Sequence, residues 1–300
     1  MANPAVASRP AWSPRVVAAW TFAAVALLAA LLWAYWPVLR SLLRDWRGDD
    51  DYSSGQLVPF AAFYLLWVDR HALARLRPSP CGWGAAVILV AQAVRGYGVL
   101  FMFESAERYS FVLTIMGVVL LVAGRRVFRR GFWVLLFLFL MVPLPGRVHN
   151  RVSGPLQGLA TSAAVFLLDL AGISVVREGH TVILNDSIPL AVAEACSGLR
   201  MLTAFVMVAW VFAGVIHRPR WQKAVLVLSS VPVAIVCNLI RIIVTVVLVL
   251  LFGSGVAERY FHDFAGWTMM PMAILMLVAE LWLMGRLVVE EDRERVQAAV

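Results

Sequence analysis

Apolar runs about twenty residues long, separated by short basic loops, constrain this chain more than any other feature. A bilayer is crossed by roughly 20 apolar residues in a helix, and eight crossings use roughly 160. The 300 residues are 62% hydrophobic and only 15% charged, which supplies that material and leaves little for a soluble domain. The composition excludes a disordered chain, a secreted disulfide scaffold and an ordinary cytosolic enzyme. The fold class expected is an all-α polytopic membrane protein of about eight transmembrane helices, forming one domain over residues 1–300. The first apolar stretch, about 16–39, is too long for a signal-peptide core, and no convincing cleavage site follows it. It is expected to be a retained span.

Lysine and arginine placement sets the orientation. Arg70, Arg75 and Arg77, then Arg125, Arg126, Arg129 and Arg130, then Arg218, Arg220 and Lys223, mark cytoplasmic loops. Residues 40–55 and 104–108 read as outer loops. Both termini are expected in the cytoplasm, with a charged tail over 286–300. The net charge of +8 is accounted for by these loops, and no basic domain is left to hold nucleic acid. Pro143-Leu144-Pro145-Gly146 is a helix breaker. The piece that follows, 147–172, must be re-entrant or interfacial for the later spans to alternate correctly. Ile173–Val176 and Thr181–Leu184 are rich in β-branched residues and flanked by turn signals, which predicts a short extracytoplasmic β-hairpin.

Three polar clusters stand at the outer ends of the last spans. In Glu194-Ala195-Cys196-Ser197-Gly198-Leu199-Arg200, Cys196 opens a helix. The helix dipole and free N–H groups there favour a thiolate, and Ser197 is a natural N-cap. The alternative is a small packing residue, as free cysteines often are. In Asn238-Leu239-Ile240-Arg241, the arginine lies deep in an apolar run, where a charge is costly and usually serves a site or a partner. It can bind a carboxylate or stabilise an oxyanion, or simply pair with Glu194. Asn238, one turn earlier, can orient a ligand or Arg241, or satisfy backbone near Pro232. In His262-Asp263, the imidazole is a candidate acid or base, or an interfacial histidine without a role. Asp263 can support it. Arg200 can bind a substrate carboxylate or pair with Glu194. His71, His149, His180 and His217 are expected to be plain loop histidines, and Cys81 and Cys237 packing residues. Arg95 lies in a span with no assigned partner. Three widely spaced cysteines give neither a disulfide framework nor a zinc pattern.

With Phe261-His262-Asp263-Phe264-Ala265-Gly266, these clusters resemble the nucleophile, Asn-x-x-Arg and histidine motifs of the exosortase/archaeosortase family of membrane cysteine transpeptidases. Asp51–Pro59 is similar to that family's first outer loop, with Ser54 where relatives often carry histidine. Val142–Gly146 resembles its middle breaker. The resemblance runs over about 50–285. It implies Cys196, Arg241 and His262 as the catalytic set, supported by Glu194, Ser197, Arg200, Asn238 and Asp263, with no metal or organic cofactor required. It implies exported proteins with C-terminal sorting tails (a Pro-Glu-Pro-like motif, a membrane helix, a basic end) as partners, besides the lipid bilayer. It also implies a bacterial inner-membrane location with the site on the extracytoplasmic face. The competing reading is a small-solute transporter or channel with a non-catalytic Cys196, suggested by Arg95, Arg241 and the broken segment at 143–172.

Overall fold

The computed structural model describes residues 14–178, 181–184, 188–190, 199–216, 218–253 and 271–286. Helix α1 (Pro14–Ala34) stops at Tyr35, and α2 (Trp36–Gly48) leaves it at 67°. Pro37 lies in the first turn of α2, where its missing N–H costs nothing but where it cannot continue the preceding helix. The joint is held from outside. Arg95 Nη2 donates to the Ala34 carbonyl at 2.7 Å, and its guanidinium lies 4.5 Å from the centre of the Tyr35 ring. Tyr35 is itself buried. Its hydroxyl is 2.7 Å from Thr114 Oγ1 and accepts from Gln92 Nε2 at 3.1 Å. The unassigned span arginine therefore serves a helix end and an aromatic face.

Residues 36–48, read as span end and loop, are helical. Val38 and Leu42 are buried one turn apart, while Arg40, Arg44 and Arg47 are exposed. The charges signal a solvated helix face, not a break. The same correction applies at 104–108. These residues open α6 (Glu104–Val122), where Glu104 and Glu107 suit the positive helix start. Arg108 is only 7% exposed. Its Nη1 lies 2.7 Å from Asp45 Oδ2, its Nη2 2.5 Å from Glu104 Oε2, and its Nε donates to Ser41 Oγ at 3.2 Å. A guanidinium with every nitrogen engaged ties α2 to α6.

Helix α5 (Trp83–Leu100) turns back into α6 through three residues, and the pair packs backbone to backbone. Gly84, Ala91 and Gly98 are all buried, each seven residues from the next and so on one face of α5. A Cβ on Gly84 would lie 2.3 Å from Leu121 N, and one on Gly117 2.7 Å from Ile88 Cγ1. Small residues let membrane helices approach this closely. Gly84→Ala is expected to cost about 1–3 kcal/mol, read as a lower thermal unfolding midpoint in detergent. Gly96→Ala in the same helix, with nothing within 4 Å, should keep or raise the midpoint. Equal midpoints for the two would show that the close approach carries no stability.

Helix α3 (Val58–Val68) ends at Asp69, and a short α4 (Arg70–Ala74) follows. Arg130 on α7 (Gly124–Phe137) grips the Asp69 carboxylate with Nε at 2.6 Å and Nη2 at 2.5 Å. Two of the basic segments are thereby brought together. After a 3-10 turn (Leu138–Met141), the proline breaker turns the chain by 87° into α8 (Gly146–Leu170). Three antiparallel strands follow: β1 (Val175–Glu178), β2 (Thr181–Leu184) and β3 (Ile188–Leu190), with Val175 opposite Leu184 and Val182 opposite Leu190.

Helix α9 (Leu199–Val215) packs against the 33-residue α10 (Arg220–Phe252) and against α11, residues 271–286. Trp133 and Trp210 stack at 4.4 Å, and each indole N–H donates to the other's carbonyl, locking α7 to α9. Among the described residues, α5, α6 and α10 are long and apolar enough to cross a bilayer alone. The bent pairs α1–α2 and α7–α8 raise the number to five if each is one span. The described residues thus account for three to five of the eight spans expected. The chain is a helical integral membrane protein.

Candidate active site

The site is framed by the start of α9 and the middle of α10. Asn238 is 3% exposed, and its Oδ1 accepts from Arg241 Nη2 at 2.9 Å. Residues three apart share a helix face, so the amide can fix the direction of the guanidinium. Beside Asn238, a cavity of about 10 Å³ lies between α8, α9 and α10, lined by Leu156, Ala160, Leu202, Ala234 and Ile235. That is room for about one water. The membrane arginine therefore has a polar neighbour, Asn238, which itself borders an apolar-walled cavity.

Arg200 occupies the first turn of α9, half-buried. It lies in the field of a like charge, Arg241, and of an opposite one, Asp49. The structure thus brings Asn238, Arg241 and Arg200 into one neighbourhood. Glu194, Cys196, Ser197, His262 and Asp263 lie outside the described residues.

The acidic loop joins this neighbourhood. A 3-10 segment (Asp50–Leu57) follows α2 and packs against α9. Asp49 starts it by accepting from the Asp51 N–H at 2.9 Å. Trp46 lies across Gly55 and donates its indole N–H to the Met141 carbonyl at 3.0 Å. A Cβ on Gly55 would come within 2.7 Å of Trp46 Nε1, so glycine is required by space. Tyr52 reaches the breaker from the other side. Its hydroxyl is 2.6 Å from His149 Nδ1 and donates to the Leu144 carbonyl at 3.4 Å. His149 Nε2 lies 3.9 Å from Asp51 Oδ2.

The two segments singled out upstream, 51–59 and 142–146, are therefore one structural unit, clamped against α9. His149, read as a plain loop residue, is the hinge-pin of that unit. Its partners stand 97 and 98 positions away, so no local pattern announces it.

Burial, then the nearby charges of Asp49 and Asp51, push the Tyr52 phenol up from 10.0 to about 12. The unfolded chain releases this proton near pH 10, before the folded chain does. Stability from Tyr52 is thus whole below pH 10 and falls as pH rises toward 12. Tyr52→Phe is expected to flatten that alkaline decline in a thermal melt series. An unchanged slope would show that the phenol is not held by the fold.

The sequence profile of the transmembrane exosortase family matches residues 46–279, more than half the chain. The match takes in the acidic loop, the breaker, and all three polar clusters. No curated protein and no solved structure matches the chain. On the extent of that match, the chain belongs to the transmembrane exosortase family.

Proposed function

We propose that this chain is a membrane cysteine transpeptidase that processes the C-terminal sorting tails of exported proteins. Family membership supports sorting-signal processing, and one observation favours the chemistry: Arg241, deep in an apolar helix, is aimed by Asn238. A guanidinium kept at such depth costs at least about 2.5–3.5 kcal/mol on insertion scales, which suits a group that meets charge during a reaction.

In this reading the Cys196 thiolate attacks the carbonyl carbon of the scissile peptide. The carbonyl oxygen becomes an oxyanion, and Arg241 stabilises it with forked N–H donors. The C–N bond breaks, and protonated His262 gives its proton to the leaving amine. A thioester to Cys196 remains. An acceptor nucleophile gives up its proton to His262, attacks the thioester and releases the thiolate. Arg200 receives an acidic side chain of the sorting motif. Glu194, Ser197 and Asp263 support the three catalytic groups. The site faces the extracytoplasmic side of a bacterial inner membrane, both termini lie in the cytoplasm, and the substrate is held by its own membrane helix.

The test is co-expression of one tail-bearing exported protein with and without this chain. A shortened product whose new C-terminus maps to the sorting motif by mass supports the reading, and an added group on that terminus identifies transfer. A tail left whole by the wild-type chain, for every tail-bearing protein of its own host, overturns it.

A further inference from the structure

The exposed face of α2 has no place in the chemistry above, yet its composition is specific. Residues 16–34 of α1 carry no charge, and that helix ends where α2 begins, 67° away. With Arg40, Arg44, Asp45 and Arg47 in thirteen residues, α2 cannot lie in the hydrocarbon layer. It leaves the bilayer end of α1 and runs along the surface. At 100° per residue, Trp36, Arg40, Leu43, Arg44 and Arg47 fall within one arc of about 100°. Trp36 is 51% and Leu43 44% exposed, and all three arginines are exposed. The Arg40 guanidinium lies over the Trp36 ring at 5.2 Å. The one acid of the helix, Asp45, points the other way and is bound by Arg108. The arc is therefore three positive charges interleaved with an indole and a leucine, at the depth where an apolar helix leaves the membrane.

We propose that this arc binds the phosphates of anionic phospholipid headgroups. Arginine forks match phosphate oxygens, and tryptophan and leucine suit the glycerol and upper acyl region just beneath. A soluble acidic partner would explain the arginines but not the exposed Trp36 and Leu43 beside them. The consequence for the site is positional. Asp49 and the 3-10 segment follow α2 directly and pack on α9. Lipid bound along α2 thus sets the depth of that loop. The proposal does not depend on the transpeptidase reading, and its test needs no activity.

The full chain is reconstituted in vesicles of equal phosphatidylglycerol and phosphatidylcholine, one of them carrying a photoactivatable headgroup. Adducts are mapped by mass to the α2 peptide (36–48) and to the basic α7 peptide (124–137). The wild type should show more adduct on α2 from phosphatidylglycerol than from phosphatidylcholine. In the Arg40→Gln, Arg44→Gln, Arg47→Gln triple the excess should fall by about fivefold per arginine at low salt, the equivalent of about 1 kcal/mol each. The α7 adducts should not change, which controls for folding and insertion. The corresponding lysine triple should keep most of the excess. If the glutamine triple loses its α7 adducts too, single Arg40→Gln and Arg47→Gln replace it, each with about a fivefold loss expected. Equal labelling by the two lipids, or an excess that survives the glutamine changes, overturns the proposal. So does displacement of phosphatidylglycerol from α2 by an acidic exported tail, which would make the arc a substrate surface.

Discussion

With Cys196→Ala in place of the wild-type chain, the sorting tail of a co-expressed substrate is expected to stay whole. Removing the nucleophile of a catalytic set costs on the order of 10⁴–10⁶-fold in rate, because no acyl-enzyme can form and the remaining groups have nothing to assist. The other thiols cannot substitute. Cys237 is fully buried, with its sulfur 3.6 Å from that of Met276. Cys81 lies beside the last turn of α6, where its N–H donates to the Leu121 carbonyl. Cys81→Ala and Cys237→Ala should therefore cleave at close to the wild-type rate. A gel shift paired with intact mass of the product reads all three. Trimming by Cys196→Ala at the wild-type rate would remove the thiol from the mechanism. A transporter would also tolerate that change, so the same gel separates the two classes.

Arg241→Gln should lower cleavage by about 10²–10³-fold, the usual loss when one oxyanion donor is removed from a dry site. Arg241→Lys should recover little of it. An ammonium keeps the charge but loses the planar fork, and the fork is what Asn238 Oδ1 holds at 2.9 Å. Asn238→Ala should then fall between the wild type and Arg241→Gln, since it frees the guanidinium without removing it. The discriminating readout is the split between kcat and KM. An oxyanion donor lowers kcat with KM nearly unchanged, whereas a ground-state anchor for a substrate carboxylate raises KM. Loss confined to KM would reassign Arg241 to binding.

The helical membrane class is legible because apolar run length is a property of contiguous sequence. What escaped was interaction between distant positions. On charge alone, residues 40–48 and 104–108 read as loops. Arg108 and Asp45 are 63 positions apart, and only their pairing shows that charge is compatible with burial there. Arg95 takes a backbone carbonyl as its partner, and carbonyls leave no mark in a sequence. His149 was set aside for the same reason, since Tyr52 and Asp51 lie far upstream. The contact between Asn238 and Arg241 is easier to foresee. An arginine and an asparagine one turn apart in an apolar run are improbable without a use, and their 2.9 Å contact is what that spacing allows.

The joint at Tyr35 has a bearing on biogenesis. Gln92, Arg95 and Thr114 hold it, and they are 57 to 79 residues further along the chain. A ribosome adding about 5–20 residues each second needs several seconds to deliver them. During that interval the first helix is in the bilayer with its tyrosine hydroxyl and its last carbonyls unmatched by protein. The α5–α6 hairpin must arrive before the bend can set, so the end of α1 is fastened only by segments synthesised after it. Substitutions at Gln92 or Arg95 would then be felt less in the finished protein than in the yield of chains that reach it.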